Sequence, residues 1–110
     1  MSAIIQTNTI PYITYTHRLD AGDVVQHGNL IGVCAINTDY GEQNQLFTSG
    51  AFEICKDKSS IPTGTYVYWD DIMCQCTTIE KLNKYLGLAV QDAASDDDTV
   101  MVLINYPKCN

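Results

Sequence analysis

Two stretches, Ala21-Gly22-Asp23-Val24-Val25 and Pro62-Thr63-Gly64-Thr65-Tyr66-Val67-Tyr68-Trp69-Asp70, decide the fold of this chain. In each, a glycine turn stands directly before a run of β-branched or aromatic residues, the local signature of a tight turn feeding a strand. The same cadence spreads outward along the sequence. Residues 23–27 and 29–37 read as strands separated by Gly28-Asn29, a dipeptide suited to a two-residue hairpin. Tyr40-Gly41-Glu42 makes the next turn, and residues 45–55 form a long β segment with a bulge or sharp bend expected at Ser49-Gly50. Residues 57–60 are a polar loop. Residues 65–69 and 72–77 form a second hairpin across Asp70-Asp71, with Val67 and Trp69 on one face and Tyr66 and Tyr68 on the other.

Residues 86–90 and 99–104 complete the pattern, joined through the acidic run Asp96-Asp97-Asp98. The one helical candidate, residues 78–85, has Thr78 as a possible cap but is too short for an independent helix, so a single turn is expected there. Apolar runs are short and turn signals recur about every 8 to 12 residues, which favours an all-β fold, a small barrel or sandwich, over α/β. No internal repeat or low-complexity stretch interrupts it.

With 110 residues and 45% apolar content the chain fits one domain. Residues 1–15 form an extended N-terminal arm or a first strand, residues 16–106 the β body, and residues 107–110 a tail. Pro11 confines the first segment to an edge, because proline donates nothing to a ladder. Six basic against thirteen acidic residues, net charge −7, oppose binding to nucleic acid and to anionic membranes. No apolar stretch approaches the length of a membrane span, and residues 1–6 carry no secretory pattern, so synthesis and use in a cytoplasm, or in a particle assembling there, are expected.

Cys34, Cys55, Cys74, Cys76 and Cys109 are odd in number and irregular in spacing, as free thiols in a reducing compartment would be. In a strand, Cys74 and Cys76 would share a face about 6.6 Å apart. Their Cys-x-Cys spacing is not a usual zinc knuckle, and no second pair completes a set. His17 and His27 could pair with a cysteine as base and nucleophile, but no signature surrounds them, and His17-Arg18 reads as a solvated loop. Asp92, Asp96, Asp97 and Asp98 lack the spacing of a calcium loop and read as a solvated, self-repelling segment. Asp70 and Asp71, at a hairpin tip, are expected to satisfy turn backbone. Neither catalysis nor a cofactor is expected.

The ordered set of turns and strands resembles one family. Residues 21–25, Gly32-Val33, Gly41-Glu42, residues 50–54, residues 64–70, residues 86–90 and residues 100–103 are similar, in that order, to the succession found in small phage capsid cement, or head-decoration, proteins. Gly22, Asp23, Gly41, Gly50, Gly64, Trp69, Asp70 and Gly87 carry the resemblance. The aspartate cluster, the cysteines and the tail depart from it.

The resemblance implies a small β-barrel or β-clip-like domain that assembles as a homotrimer on the outer surface of the virion. There it would bind the phage major capsid protein and cement neighbouring subunits. A decoration protein of that kind needs a rigid β body, extended segments able to add to another sheet, and apolar surface for a symmetric interface. Ile4, Ile5, Ile10, Tyr12 and Tyr15, in an Ile-, Thr- and Tyr-rich segment, are the candidate capsid-binding residues. The aromatic group Tyr12, Tyr15, Tyr66, Tyr68 and Trp69 admits an alternative, a β-barrel module binding a small ligand or carbohydrate.

Overall fold

The computed structural model describes residues 9–14 and 17–108, and among them it contains nine strands and no helix. They are β1 (Thr9–Ile13), β2 (Val24–His27), β3 (Leu30–Cys34), β4 (Gln43–Phe47), β5 (Ala51–Cys55), β6 (Tyr66–Asp70), β7 (Gln75–Thr77), β8 (Lys84–Ala89) and β9 (Thr99–Ile104). They form two sheets, in the orders β1-β4-β3-β2 and β5-β9-β8-β6-β7, and every pairing between named strands is antiparallel. The five-stranded sheet curls until its edges meet at one parallel bridge, Lys56 to Cys76, where the Asp57 amide donates to the Cys76 carbonyl at 2.9 Å. The four-stranded sheet also curls. Its two edges, β1 and β2, bring the rings of Tyr12 and His27 to 5.7 Å.

Strand alternation sorts the apolar residues into two cores. Ile31 and Val33 of β3 join Ile54, Val67, Trp69, Leu86, Val100, Val102 and Ile104 in the larger one, between the two sheets. Cys34 points the opposite way, with Leu46, Val25 and Leu19, into a smaller core inside the curl of the four-stranded sheet, where Ile10, Tyr12 and Leu30 pack against it. Strand β3 is thus covered on both faces, which explains its continuous apolar sequence, Leu-Ile-Gly-Val-Cys. Burial of this kind supplies the main stabilisation, on the order of 25 cal/mol per Å² of apolar surface.

The glycine turns fall where the sequence puts them. Asp23, Glu42 and Thr65 donate their amides back to the carbonyls of Asp20, Asp39 and Pro62. The glycine third in each turn, Gly22, Gly41 or Gly64, has φ between +87° and +94°, as a type II turn requires. Gly87 answers a different need, because a Cβ there would lie 2.2 Å from the Leu103 carbonyl oxygen. It sits where β8 bulges: Val67 pairs with Gly87 and Tyr68 with Tyr85, leaving Leu86 unmatched and wholly buried.

Three segments differ from the sequence reading, and a fourth, the N-terminal one, takes its strand alternative. Residues 45–55 are two strands in different sheets, and the bend expected at Ser49-Gly50 is the crossing between them. The second hairpin turns through residues 71–74, since Asp70 still pairs with Gln75. Residues 78–85 contain no helical turn: Glu80 and Asn83 close a β-turn at 3.1 Å, and Lys84 and Tyr85 already belong to β8. A short loop must here carry the chain over β6, from β7 on one side to β8 on the other, and this tertiary demand overrides a weak helical preference. Of the segment 1–15, Thr9–Ile13 pairs along its whole length with β4 as an edge strand. Its inner end is fixed by a buried network in which Thr14 and Thr38 hydroxyls meet at 2.7 Å and Asn44 Nδ2 donates to Thr38 Oγ1 at 2.8 Å.

Candidate functional site

The tip between β6 and β7 displays two adjacent apolar side chains to solvent. Ile72 and Met73 are 91% and 64% exposed, a large apolar display for so small a protein. The backbone beneath them is tightly held. Both of their amides donate to Asp70 Oδ1, at 3.1 and 3.0 Å, and the Trp69 indole donates to Asp71 Oδ1 at 2.9 Å. Asp70 therefore does what a hairpin-tip carboxylate is expected to do, whereas Asp71 anchors the tip to the buried tryptophan. An apolar pair on a pre-organised turn loses little entropy when it is covered.

Beside this tip runs a groove of about 480 Å³, walled by Tyr12 and Thr14 of the β1 side, residues 24–27 of β2, and Asp71 and Cys74 of the tip. It adjoins a smaller one of about 240 Å³ that reaches Glu53 and Trp69. His17 and Cys74 line both. The thiols divide sharply: Cys55 and Cys74 are exposed, while Cys34 and Cys76 are buried. Burial pushes Cys34 up to about 11 and Cys76 up to about 12, which leaves both protonated and unreactive at neutral pH. Cys74 and Cys76 do not share a strand face as expected. Cys74 lies in the turn with φ +54°, and only Cys76 enters the core.

The outer face of the five-stranded sheet carries a second aromatic feature. Tyr66 and Tyr68 alternate on β6, and Tyr85 lies directly across from Tyr68 on β8. Tyr85 meets both in edge-to-face contacts, 5.9 Å from Tyr66 and 5.7 Å from Tyr68. After β9 the chain turns at Asn105, whose side chain donates to the carbonyls of Ile31 and Thr48 and so ties the two sheets together. It then crosses this face: the Tyr85 hydroxyl donates to the Tyr106 carbonyl at 2.7 Å, and Lys108 reaches Tyr68. Lys108 Nζ stands 2.6 Å from the Tyr68 hydroxyl, 5.6 and 5.7 Å from the ring centres of Tyr66 and Tyr85, and 3.4 Å from a Glu80 carboxylate oxygen. With 5.0 Å to the Tyr68 ring centre, the ammonium meets that residue at its hydroxyl end rather than over its face. The bond to Tyr68, the largest influence, holds the ammonium above the usual lysine range against burial, with the Glu80 carboxylate adding to it. Burial first, and then Tyr66 and Tyr68, push the Tyr85 phenol up.

The acidic segment is more ordered than its composition implies. Asp92 Oδ1 accepts the Thr63 amide at 2.7 Å and Asp97 Oδ2 the Ala94 amide at 2.8 Å. Beneath the loop, the buried Lys56 ammonium donates to the carbonyls of Asp57, Ala94 and Asp97 at 2.8, 2.9 and 3.3 Å. A self-repelling segment is thereby closed around an internal cation. Arg18 likewise bridges Asp20 and Asp39, at 3.0 and 3.1 Å, although its loop is exposed as expected. Among the described residues, no group of three or more His, Cys, Asp or Glu side chains is placed to hold a metal ion.

The candidate contact residues are dispersed. Ile10 and Tyr12 lie on β1 with their side chains against the smaller core, half-buried. Ile4, Ile5 and Tyr15, like Cys109, lie outside the described residues. The aromatic group read from the sequence does not form one surface: Trp69 is in the larger core, Tyr66 and Tyr68 are on the outer face of one sheet, and Tyr12 belongs to the other. The tyrosine-lysine cluster went unread because Lys108 lies 40 residues from Tyr68, and no local pattern joins them. Ile72 and Met73 went unread because in the sequence they continue into the strand expected over 72–77, and only the pairing of Asp70 with Gln75 puts them in the turn.

Neither the curated proteins nor the solved structures give a match. A family described as phage cement protein matches residues 4–104, nearly the whole chain and every strand of both sheets. That span covers all the glycine turns that position the β6–β7 tip, and the chain belongs to the phage cement protein family.

Proposed function

We propose that this protein is a structural component of a phage virion that binds the outer surface of the capsid as a homotrimer and cements neighbouring major capsid subunits. Membership in the cement family over residues 4–104 is the observation that carries the reading. The geometry fits the task. Two closely packed sheets give a stiff body, and Ile72 and Met73 project from it on a turn that Asp70 and Asp71 already hold in one conformation. Strands β1 and β2 are the two edges of the four-stranded sheet, the positions at which a neighbouring strand is added. The net charge of −7 directs the protein to protein surfaces with cationic groups rather than to the packaged genome. The work is mechanical and non-catalytic, needs no cofactor, and follows synthesis in the host cytoplasm.

The test is co-sedimentation with capsids of the cognate phage that lack the protein. Wild type should bind saturably, in multiples of three copies per site. The double substitution I72S/M73S removes the apolar tip while keeping the Asp70 turn, and it should weaken binding at least tenfold with little change in thermal unfolding. Saturable binding of a soluble sugar or small molecule in the 480 Å³ groove, by a monomer indifferent to capsids, would favour the ligand-binding module instead.

A further inference from the structure

The tyrosine cluster on the outer face of the five-stranded sheet has the form of a receptor with a replaceable occupant. Its walls are set by the sheet itself: Tyr66 and Tyr68 by alternation on β6, and Tyr85 by its register opposite Tyr68 and by edge-to-face contacts with both. Glu80 comes from the loop that crosses β6. None of the three ring placements depends on Lys108. The lysine itself is lightly tethered. It lies at the far end of a short irregular segment, its side chain is 30% exposed, and its carboxylate partner Glu80 is 72% exposed, so the ion pair is worth little in water. Between Asn105 and Lys108 the segment has one other anchor on this face, the Tyr85 to Tyr106 hydrogen bond.

We propose that Tyr66, Tyr68, Tyr85 and Glu80 form a binding site for the ammonium of a lysine on a partner protein, occupied in the free chain by Lys108 as an intramolecular stand-in. The ligand class follows from the contacts. Two aromatic rings lie within the range in which they attract a cation, a phenol oxygen accepts one N–H, and a carboxylate supplies the countercharge, so a primary alkylammonium satisfies the site and a neutral group does not. The choice of a protein lysine follows from charge. With thirteen acidic residues against six basic ones, this chain meets a partner best through that partner's cations. Exchange costs little, because one lysine replaces another on the same partners, and it frees the segment after Asn105 from the sheet face. The proposal does not rest on the capsid reading, since the site is tested without a capsid.

The probe is n-butylammonium, titrated into wild type and K108A and followed through the ring resonances of Tyr66, Tyr68 and Tyr85 by NMR. In K108A the rings should shift saturably, with a dissociation constant on the order of 10 mM, as a few exposed cation–aromatic contacts allow. Wild type should require about tenfold more, because Lys108, held on a short tether after Asn105, competes at an effective concentration on the order of 100 mM, about ten times the dissociation constant. Adding Y66L to K108A, which removes one wall without touching the core, should abolish the response. Three results would overturn the proposal: no saturable shift in K108A, equal affinity in wild type and K108A, or equal shifts with neutral butan-1-ol.

Discussion

Replacing Lys56 by methionine keeps the length of the side chain and removes only its ammonium. That group is buried where the edges of the five-stranded sheet meet, and its three acceptors are the backbone carbonyls of Asp57, Ala94 and Asp97. Hydrogen bonds from a charged donor contribute about 1.5–3 kcal/mol each when measured singly, but three bonds from one ammonium are not additive. Two further effects reduce the loss. The native ammonium carries a desolvation cost that K56M escapes, and the carbonyls of Ala94 and Asp97, on exposed loop residues, can turn to water. The net destabilisation should be about 2–3 kcal/mol, which for a domain of this size lowers Tm by roughly 8–12 °C. Urea unfolding reports it through the fluorescence of Trp69, the chain's one tryptophan, which lies in the core. The slope of the transition should be unchanged and the midpoint lower. Hydrogen exchange should rise at residues 94–98. A K56M protein within about 0.5 kcal/mol of wild type would refute the view that the ammonium organises the acidic loop.

Gly87→Ala should be more damaging than any turn glycine, because its Cβ would meet the Leu103 carbonyl oxygen at 2.2 Å; a loss of about 3 kcal/mol or failure to fold is expected in the same urea assay, and a neutral effect would contradict the close strand approach. Alkylation of the native protein by iodoacetamide, mapped by peptide mass, should label Cys55 and Cys74 and spare Cys34 and Cys76 until the chain is unfolded. Burial pushes the Asp57 carboxyl up, but bonds from Ser59 and Thr77 and the charge of Lys56 outweigh it, and Asp57, like Asp92 bonded to Thr63, is held below its ordinary value of 3.8. Depressed carboxylates stabilise the fold above that value and lose the contribution as pH falls through their lower folded values, so unfolding free energy should drop on acidification below about pH 4, with a shallower slope in D57N.

The sequence made the fold legible wherever the information was local. Gly22, Gly41 and Gly64 announced their turns, and the alternation in Tyr66-Val67-Tyr68-Trp69 sorted the inner from the outer face of β6 correctly. What it did not carry was destination. Ser49-Gly50 reads as a bend, and nothing nearby says that the strands on either side join different sheets. Residues 78–85 have a weak helical composition that yields to a crossing over β6 set by pairings far away in sequence. The candidate site shows the same division. Asp70 reads as a carboxylate that satisfies turn backbone and is one, whereas Ile72 and Met73 read as the start of a strand over 72–77, and Lys56 under the acidic loop and Lys108 among the tyrosines arise from contacts 40 residues or so apart. Charged residues at such positions look like ordinary surface lysines until the fold brings their partners to them.

The proposed cementing role is tested by calorimetry of cognate capsids lacking the protein, before and after saturation with it. Binding that links neighbouring subunits must raise the temperature of capsid disruption, because a ligand held by the intact lattice and not by its dissociated subunits stabilises the lattice by mass action. An upward shift that grows with occupancy and is lost with I72S/M73S is expected. A capsid fully occupied by the protein, yet disrupted at the same temperature as the bare one, would contradict that role.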